Sequence, residues 1–405
     1  MKTVFPSSAK TIEVATRPEI ELLLCCARTQ MDSERAEQIQ TLLHQSIDWT
    51  YLIQIAARHG MMPLLYWNLN ATCPKAVPQD ILGQLRHHFQ VSTIVNLSLT
   101  KELLKLLDLF ATQEIAALPF KGPVLAASVY GNLSLRWITD LDILVHERDF
   151  LRARDLLISQ GYQLRIQVPW ECHLVQDGGI RNVDLHQDFV PKHLSCSVSS
   201  DYLWEHLESF TLAGTTVPNL SPEVVLLMLC LNGTKDCWRN LNRICDVAEL
   251  LRTYPSMDWE QVIQQAKTLG CKRLIFLGLI LAKHLLGATV PEAVWQQVDS
   301  DLGARTLAVQ VSEQLFSETS EPVGEVERSL FHISTRERLR DRVQSFIGLM
   351  RHSGWMTPTD KDLNYLPLPK SFSLLYYLIR PIRVFGKYRL TFLKYLGMEK
   401  SGVTH

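Results

Sequence analysis

The chain contains no Cys-x-x-Cys pair, although it has nine cysteines among 405 residues. Cys25 and Cys26 are adjacent and cannot easily bridge each other, while Cys230, Cys245 and Cys271 fall in apolar helical stretches. No ligand spacing of the zinc type is present, which leaves a zinc site unsupported. Free, buried thiols in a reducing compartment are expected. Long hydrophobic runs are missing too: the longest clean one, Leu274 to Ala282, is about half a membrane span. The first residues, Met1 through Ser8, lack the apolar core of a secretion signal, and the expected location is cytoplasmic. Charge of one sign is not in excess either. A formal net charge of −1 creates no global field that would attract nucleic acid. Internal repeats and low-complexity tracts are absent.

What is present is the composition of a folded protein, 46% hydrophobic and 20% charged. The length exceeds what one core fills, so two or three structural units are expected. Apolar spacing of three and four residues predicts a helical unit over 1–112, after a loose start of about 17 residues and ending in a long helix over 79–110. That unit shows no chemical motif. His59-Gly60 within it reads as a helix end, with the histidine capping and the glycine stopping. Residues 113–220 read as α/β, with a strand near Phe210 to Val217. Residues 221–317 read as helices over 222–232, 238–253, 258–268 and 271–286. Residues 318–405 form a mixed extension. Its segment 371–396 alternates aromatic, aliphatic and basic residues, among them Arg380, Arg383, Lys387, Arg389 and Lys394. Such a segment suits a membrane surface or an acidic protein partner, or a helix lying on the main body with snorkelling lysines.

The chemistry is concentrated between Leu118 and Val145. Asp140 and Asp142 stand two residues apart in an apolar run that reads as a strand. Both carboxylates then share one face, while Leu141 and Ile143 enter the core. Paired carboxylates repel unless neutralised, and an oxygen-preferring divalent cation is the usual partner; a solvated strand end is the plainer reading. Upstream, Ile115 to Phe120 reads as a short strand running into Lys121-Gly122 and a helix from Pro123 to Tyr130. Glycine at that junction lets backbone approach a phosphate; an ordinary turn with a solvated lysine is the alternative. Downstream, Glu147 to Gln160 has helical spacing with Gly161 as its stop. Asn182 to Phe189 then alternates on period two, putting Asp184, His186 and Asp188 on one face. Further on, Lys235, Trp238, Arg239 and Asp246 interrupt apolar helices. Lys235 or Arg239 could reach phosphate and Trp238 could stack on a base, or the group makes an interdomain salt bridge around a core tryptophan.

This order resembles the polymerase-beta-like nucleotidyltransferases. More narrowly, it is similar to an uncharacterised bacterial nucleotidyltransferase family with Lys-Gly in place of the usual Gly-Ser. The matching residues are Lys121, Gly122, Tyr130, Arg136, Asp140, Asp142, Leu144 and Val145, then Val183 to His186, with His173 where the family often carries a histidine. The chain departs from that pattern at Asn232 and Asp236, where family members often have histidines. The resemblance implies an α+β fold, with a small mixed β-sheet core flanked by N-terminal and C-terminal helical units.

It also implies transfer of a nucleoside monophosphate from an NTP, ATP by default, to an unidentified hydroxyl or phosphate acceptor, with pyrophosphate leaving. Asp140, Asp142 and Asp184 would be catalytic and would hold Mg²⁺, or Mn²⁺, as a pair of ions about 3.5–4 Å apart. Lys121, Gly122, Arg136 and Lys235 would face the nucleotide, and His186 would support Asp184 or simply be hydrogen-bonded at the sheet edge. On this reading Asp142 faces only solvent and metal, and Asp142→Asn leaves folding nearly intact. The alternative is a non-catalytic nucleotide-binding or scaffold relative, peripheral to a membrane through residues 371–396.

Overall fold

Apolar residues recur at helical spacing at both ends of the chain, and the helices follow from it. In the computed structural model, which describes residues 17–189, 200–317, 324–352 and 386, five helices come first. They are α1 (Pro18–Cys26), α2 (Ser33–Leu43), α3 (Trp49–Arg58), α4 (Met62–Thr72) and α5 (Gln79–Thr112). The middle of the chain is α+β. It runs β1 (Ala117–Pro119), α6 (Gly122–Ser128), β2 (Leu141–Val145), α7 (Phe150–Ser159), β3 (Gln163–Gln167), β4 (Glu171–Gln176), β5 (Arg181–His186), α8 (Ser200–Trp204), β6 (Leu207–Leu212) and β7 (Thr215–Leu220). Helices return as α9 (Pro222–Lys235), α10 (Leu241–Thr253), α11 (Trp259–Leu269), α12 (Lys272–Leu286), α13 (Glu292–Asp299), α14 (Leu302–Leu315), α15 (Glu325–Ser334) and α16 (Leu339–His352). The basic segment 371–396 and the loose start lie outside the described residues, apart from positions 17 and 386.

The five-stranded sheet has the order β1-β2-β5-β4-β3, with β2 and β5 parallel and the other neighbours antiparallel. Its two faces belong to different cores. Leu141, Ile143, Val145, Val183, Leu185, Cys172 and Leu174 point to one side, where they join Leu99, Leu103, Leu106 and Phe110 of α5 and Ala153 and Leu157 of α7. Leu118 and Leu144, paired across β1 and β2, point to the other side and join a larger core built from α1–α4 and α9–α14. The N-terminal helices and those after residue 221 are far apart in sequence but share that core. It lies over the face of the sheet that carries the acidic residues.

The strand expected near Phe210 to Val217 is a hairpin, β6–β7, turned at Ala213 and Gly214, both with positive φ. The β3–β4 hairpin has no counterpart in the sequence reading: β3 alternates only briefly, from Gln163 to Gln167, and every residue of it is exposed, so its apolar side chains serve no core. The eight cysteines among the described residues are free, and all but Cys73 are buried. No described helix is long and apolar enough to cross a membrane.

Candidate active site

Strand register assembles the site. Parallel pairing sets Asp142 of β2 opposite Asp184 of β5, and antiparallel pairing sets His173 of β4 opposite Asp184 on its other side. One step along, His186 stands opposite Glu171. Residues in register share a face, so these five polar side chains form two rows on the side of the sheet facing the helical body. One carboxylate oxygen from each of Asp142 and Asp184 and one His186 ring nitrogen lie within 4.8 Å of one another.

Asp140 sits one residue before β2, half-buried; it lines the same cleft but is not part of that tight group. Burial, and next the charge of Asp142, push its carboxyl upward. Asp142 behaves in the opposite way. Burial alone would raise it, but Lys121 and His186 outweigh burial and hold it well below the ordinary carboxylate range. Lys121 Nζ donates to Asp142 Oδ1 at 3.1 Å, and His186 Nε2 lies 3.2 Å from the same oxygen. The expectation that Asp142 faces only solvent and metal is corrected: the residue is 7% exposed and held by two partners. Lys121 ends an extended segment, and Gly122 follows at φ +53; a Cβ there would meet the Asp140 carbonyl oxygen at 3.2 Å. The turn therefore lies against the strand that carries the acids.

His173 bonds Asp184 Oδ1, and His186 Nδ1 stands 3.4 Å from Glu171 Oε2 without a hydrogen bond. Among the described residues, the bonds to Asp142 and Asp184 all fall on Oδ1, which leaves each Oδ2 available. Two such oxygens, the neighbouring Asp140 and one imidazole make a donor set that fits an oxygen-preferring divalent cation.

Other walls of the cleft come from elements distant in sequence. The cavity, about 330 Å³, is lined by the carboxylates Asp140, Asp142, Glu171, Asp184 and Asp236 and by the cations Arg58, Lys121, Arg136, Lys235 and Arg243. Lys235 Nζ is 3.8 Å from Glu171, and Arg243 is 3.1 Å from Asp236. Arg136 lines the cleft but places Nε and Nη2 on buried Asp246 at 2.9 and 3.0 Å, where Tyr130 also donates at 2.7 Å. Burial alone would lower the Arg136 guanidinium, but Asp246 raises it instead. Trp238 does not stand in the cleft. It is fully buried, with its ring over Gly233 and Gly278, so the core-tryptophan and salt-bridge alternative holds for Trp238 and Asp246. Arg239 is not among the lining residues.

Sequence reasoning missed the part of the cleft built by Arg58, Gly60, Trp137, Glu171, Asn242 and Arg243. The only signal was His59-Gly60. It does end α3, but the imidazole caps a different helix: His59 Nδ1 accepts the N–H of Leu241 at the start of α10, at 3.2 Å.

A mixed sheet turns its carboxylate-bearing face to cations across one cleft, an arrangement suited to holding a metal ion beside phosphate groups. Residues 45–287 match a family model described as an uncharacterised nucleotidyltransferase, and the chain belongs to that family. It is therefore a nucleotidyltransferase. The match begins before α3 and ends just after α12, so it spans every residue lining the cleft. No curated protein and no solved structure matches the chain.

Proposed function

We propose that the protein transfers a nucleoside monophosphate from an NTP, with ATP the default, to a hydroxyl or phosphate acceptor and releases pyrophosphate. In this reading Asp140, Asp142 and Asp184 hold divalent cations, Mg²⁺ or Mn²⁺. The observation that carries it is the register of β2 on β5, which sets Asp142 directly opposite Asp184. Bound cations would neutralise phosphate charge and make the acceptor oxygen more acidic.

The rest is positioning by the chain itself. Asp184 Oδ1 is held by His173; its Oδ2 would either hold the cation that makes an acceptor hydroxyl more acidic, the proton then passing to water, or take that proton itself. The acceptor oxygen bonds to the α-phosphorus as the bond to the β-phosphate oxygen breaks, and the electron pair leaves with pyrophosphate. Lys121, the backbone at Gly122 and Lys235 face the phosphates. Arg136 has two donors on Asp246; it fixes the strand entry beside Asp140 and lends its charge to the cleft.

The test is pyrophosphate release from each labelled NTP with Mg²⁺ or Mn²⁺. Asp184→Asn should reduce turnover by at least about 10²–10³-fold and shift the urea midpoint little, because the side chain is 26% exposed. Nucleotide binding without pyrophosphate release, unaffected by Asp184→Asn, would instead identify a non-catalytic binding relative.

A further inference from the structure

Trp137 is 41% exposed and makes no hydrogen bond or ring contact among the described residues. Yet it lines the cleft, and it is the only indole or phenyl ring among the described residues that do. Large aromatic rings are mostly buried in folded proteins, and one displayed in a polar cleft is available to a ligand with a flat face.

The backbone that carries it is fixed in advance. From Arg136 to Thr139 the chain alternates: Arg136 and Ile138 are buried, Trp137 and Thr139 exposed, and both exposed residues line the cleft. Four bonds hold this segment. Asn96 Nδ2 donates to the Arg136 carbonyl at 2.8 Å, Asn182 Nδ2 donates to the Thr139 carbonyl at 3.2 Å, and the Arg136 guanidinium makes two bonds to Asp246. Only the indole itself remains without a fixed role. With the backbone held this way, only the rotation of the side chain itself is lost when a partner stacks on the ring.

We propose that Trp137 is the platform for the nucleobase of the substrate nucleotide. This deepens the transfer reading above and rests on it. The other lining groups are charged or hydrogen-bonding, apart from Ala57 and Gly60, and the one other ring, the His186 imidazole, is 2% exposed, so the indole is the π-surface open to a heterocyclic base. Stacking uses the face of a base rather than its edge, and all bases have a face. The site therefore selects the triphosphate strongly and the base weakly.

Titration calorimetry on the full chain with Mg²⁺ tests this, using ATP, GTP, CTP, UTP and inorganic triphosphate as probes. In the unaltered protein the four nucleotides are expected to bind within about tenfold of one another. Trp137→Leu weakens all four by roughly 5- to 100-fold and leaves inorganic triphosphate unchanged, while Trp137→Phe recovers most of the loss. Unchanged nucleotide affinity in Trp137→Leu overturns the platform. An equal loss for inorganic triphosphate also overturns it, because the ring would then be shaping the site rather than meeting the base. Discrimination among the four bases beyond about 100-fold would require edge recognition and overturn it as well. If the unaltered protein binds none of the four nucleotides, the transfer reading fails first and the platform with it, an outcome distinct from a loss confined to the variants.

Discussion

Burial opposes a charge on Asp142, yet Lys121 and His186 hold its carboxyl ionised, so the residue stabilises the fold while it serves the site. Replacing it removes the partner of a lysine that is itself only 14% exposed. Asp142→Asn is therefore expected to cost roughly 2 kcal/mol of stability, read as a lower urea midpoint at pH 7, besides losing turnover. Asp184→Asn should cost under about 1 kcal/mol, since its one side-chain partner among the described residues is the half-exposed His173. Equal midpoints for the unaltered protein and Asp142→Asn would show that the lysine and histidine do not hold the carboxylate as described. The sequence placed Asp142 on the correct strand face. It could not show the residue's burial, because that depends on a helical body whose contacting residues lie far along the chain.

At the scale of elements, the end of α3 and the start of α10 are joined by one imidazole. His59 Nδ1 accepts from Leu241, which puts its proton on Nε2 in the neutral form, and its carbonyl accepts from Asn242. Burial, followed by the nearby Arg58, lowers the His59 pKa to about 4. The unfolded chain takes up a proton near pH 6.5 and the folded chain does not until about 4. Stability is thus full above pH 6.5 and falls as pH drops through that window, by roughly 2–3 kcal/mol from pH 7 to pH 4.5. Urea titrations at the two pH values should show this slope reduced in His59→Asn. An identical slope in the variant would assign the acid sensitivity to other groups. The sequence revealed that α3 stops at His59-Gly60. It could not reveal which helix the ring would cap, because the partner is 182 residues away. Strands divided in the same way: β2 and β5 announce themselves by apolar runs and alternation that serve a buried face, whereas the brief alternation of β3 is fully exposed.

Across the whole molecule, the helical body and the sheet are tied by a buried charge pair. Asp246 on α10 is completely buried and receives two bonds from Arg136 and one from Tyr130. Breaking a buried pair leaves an uncompensated charge, so Asp246→Asn should cost about 3–5 kcal/mol. The double variant Asp246→Asn with Arg136→Met should recover part of that loss, as a chemical-denaturation cycle would show. Strict additivity of the two single variants would mean that the pair does not couple the two bodies. Because α1–α4 share one core with α9–α14, the N-terminal helices are part of the wall of the cleft.

The sequence by itself determined the local pieces: the Lys121-Gly122 turn, the strands bearing Asp142 and Asp184, and the helices on either side. Each is written in the spacing of neighbouring residues, where backbone geometry converts pattern into structure. Only the tertiary structure decided that Arg58 and Arg243 meet across one cleft, that Arg136 turns to Asp246, that Trp238 is core and that Trp137 is displayed. Those outcomes depend on which surfaces remain after two apolar bodies close on opposite faces of one sheet, and no local spacing encodes that choice.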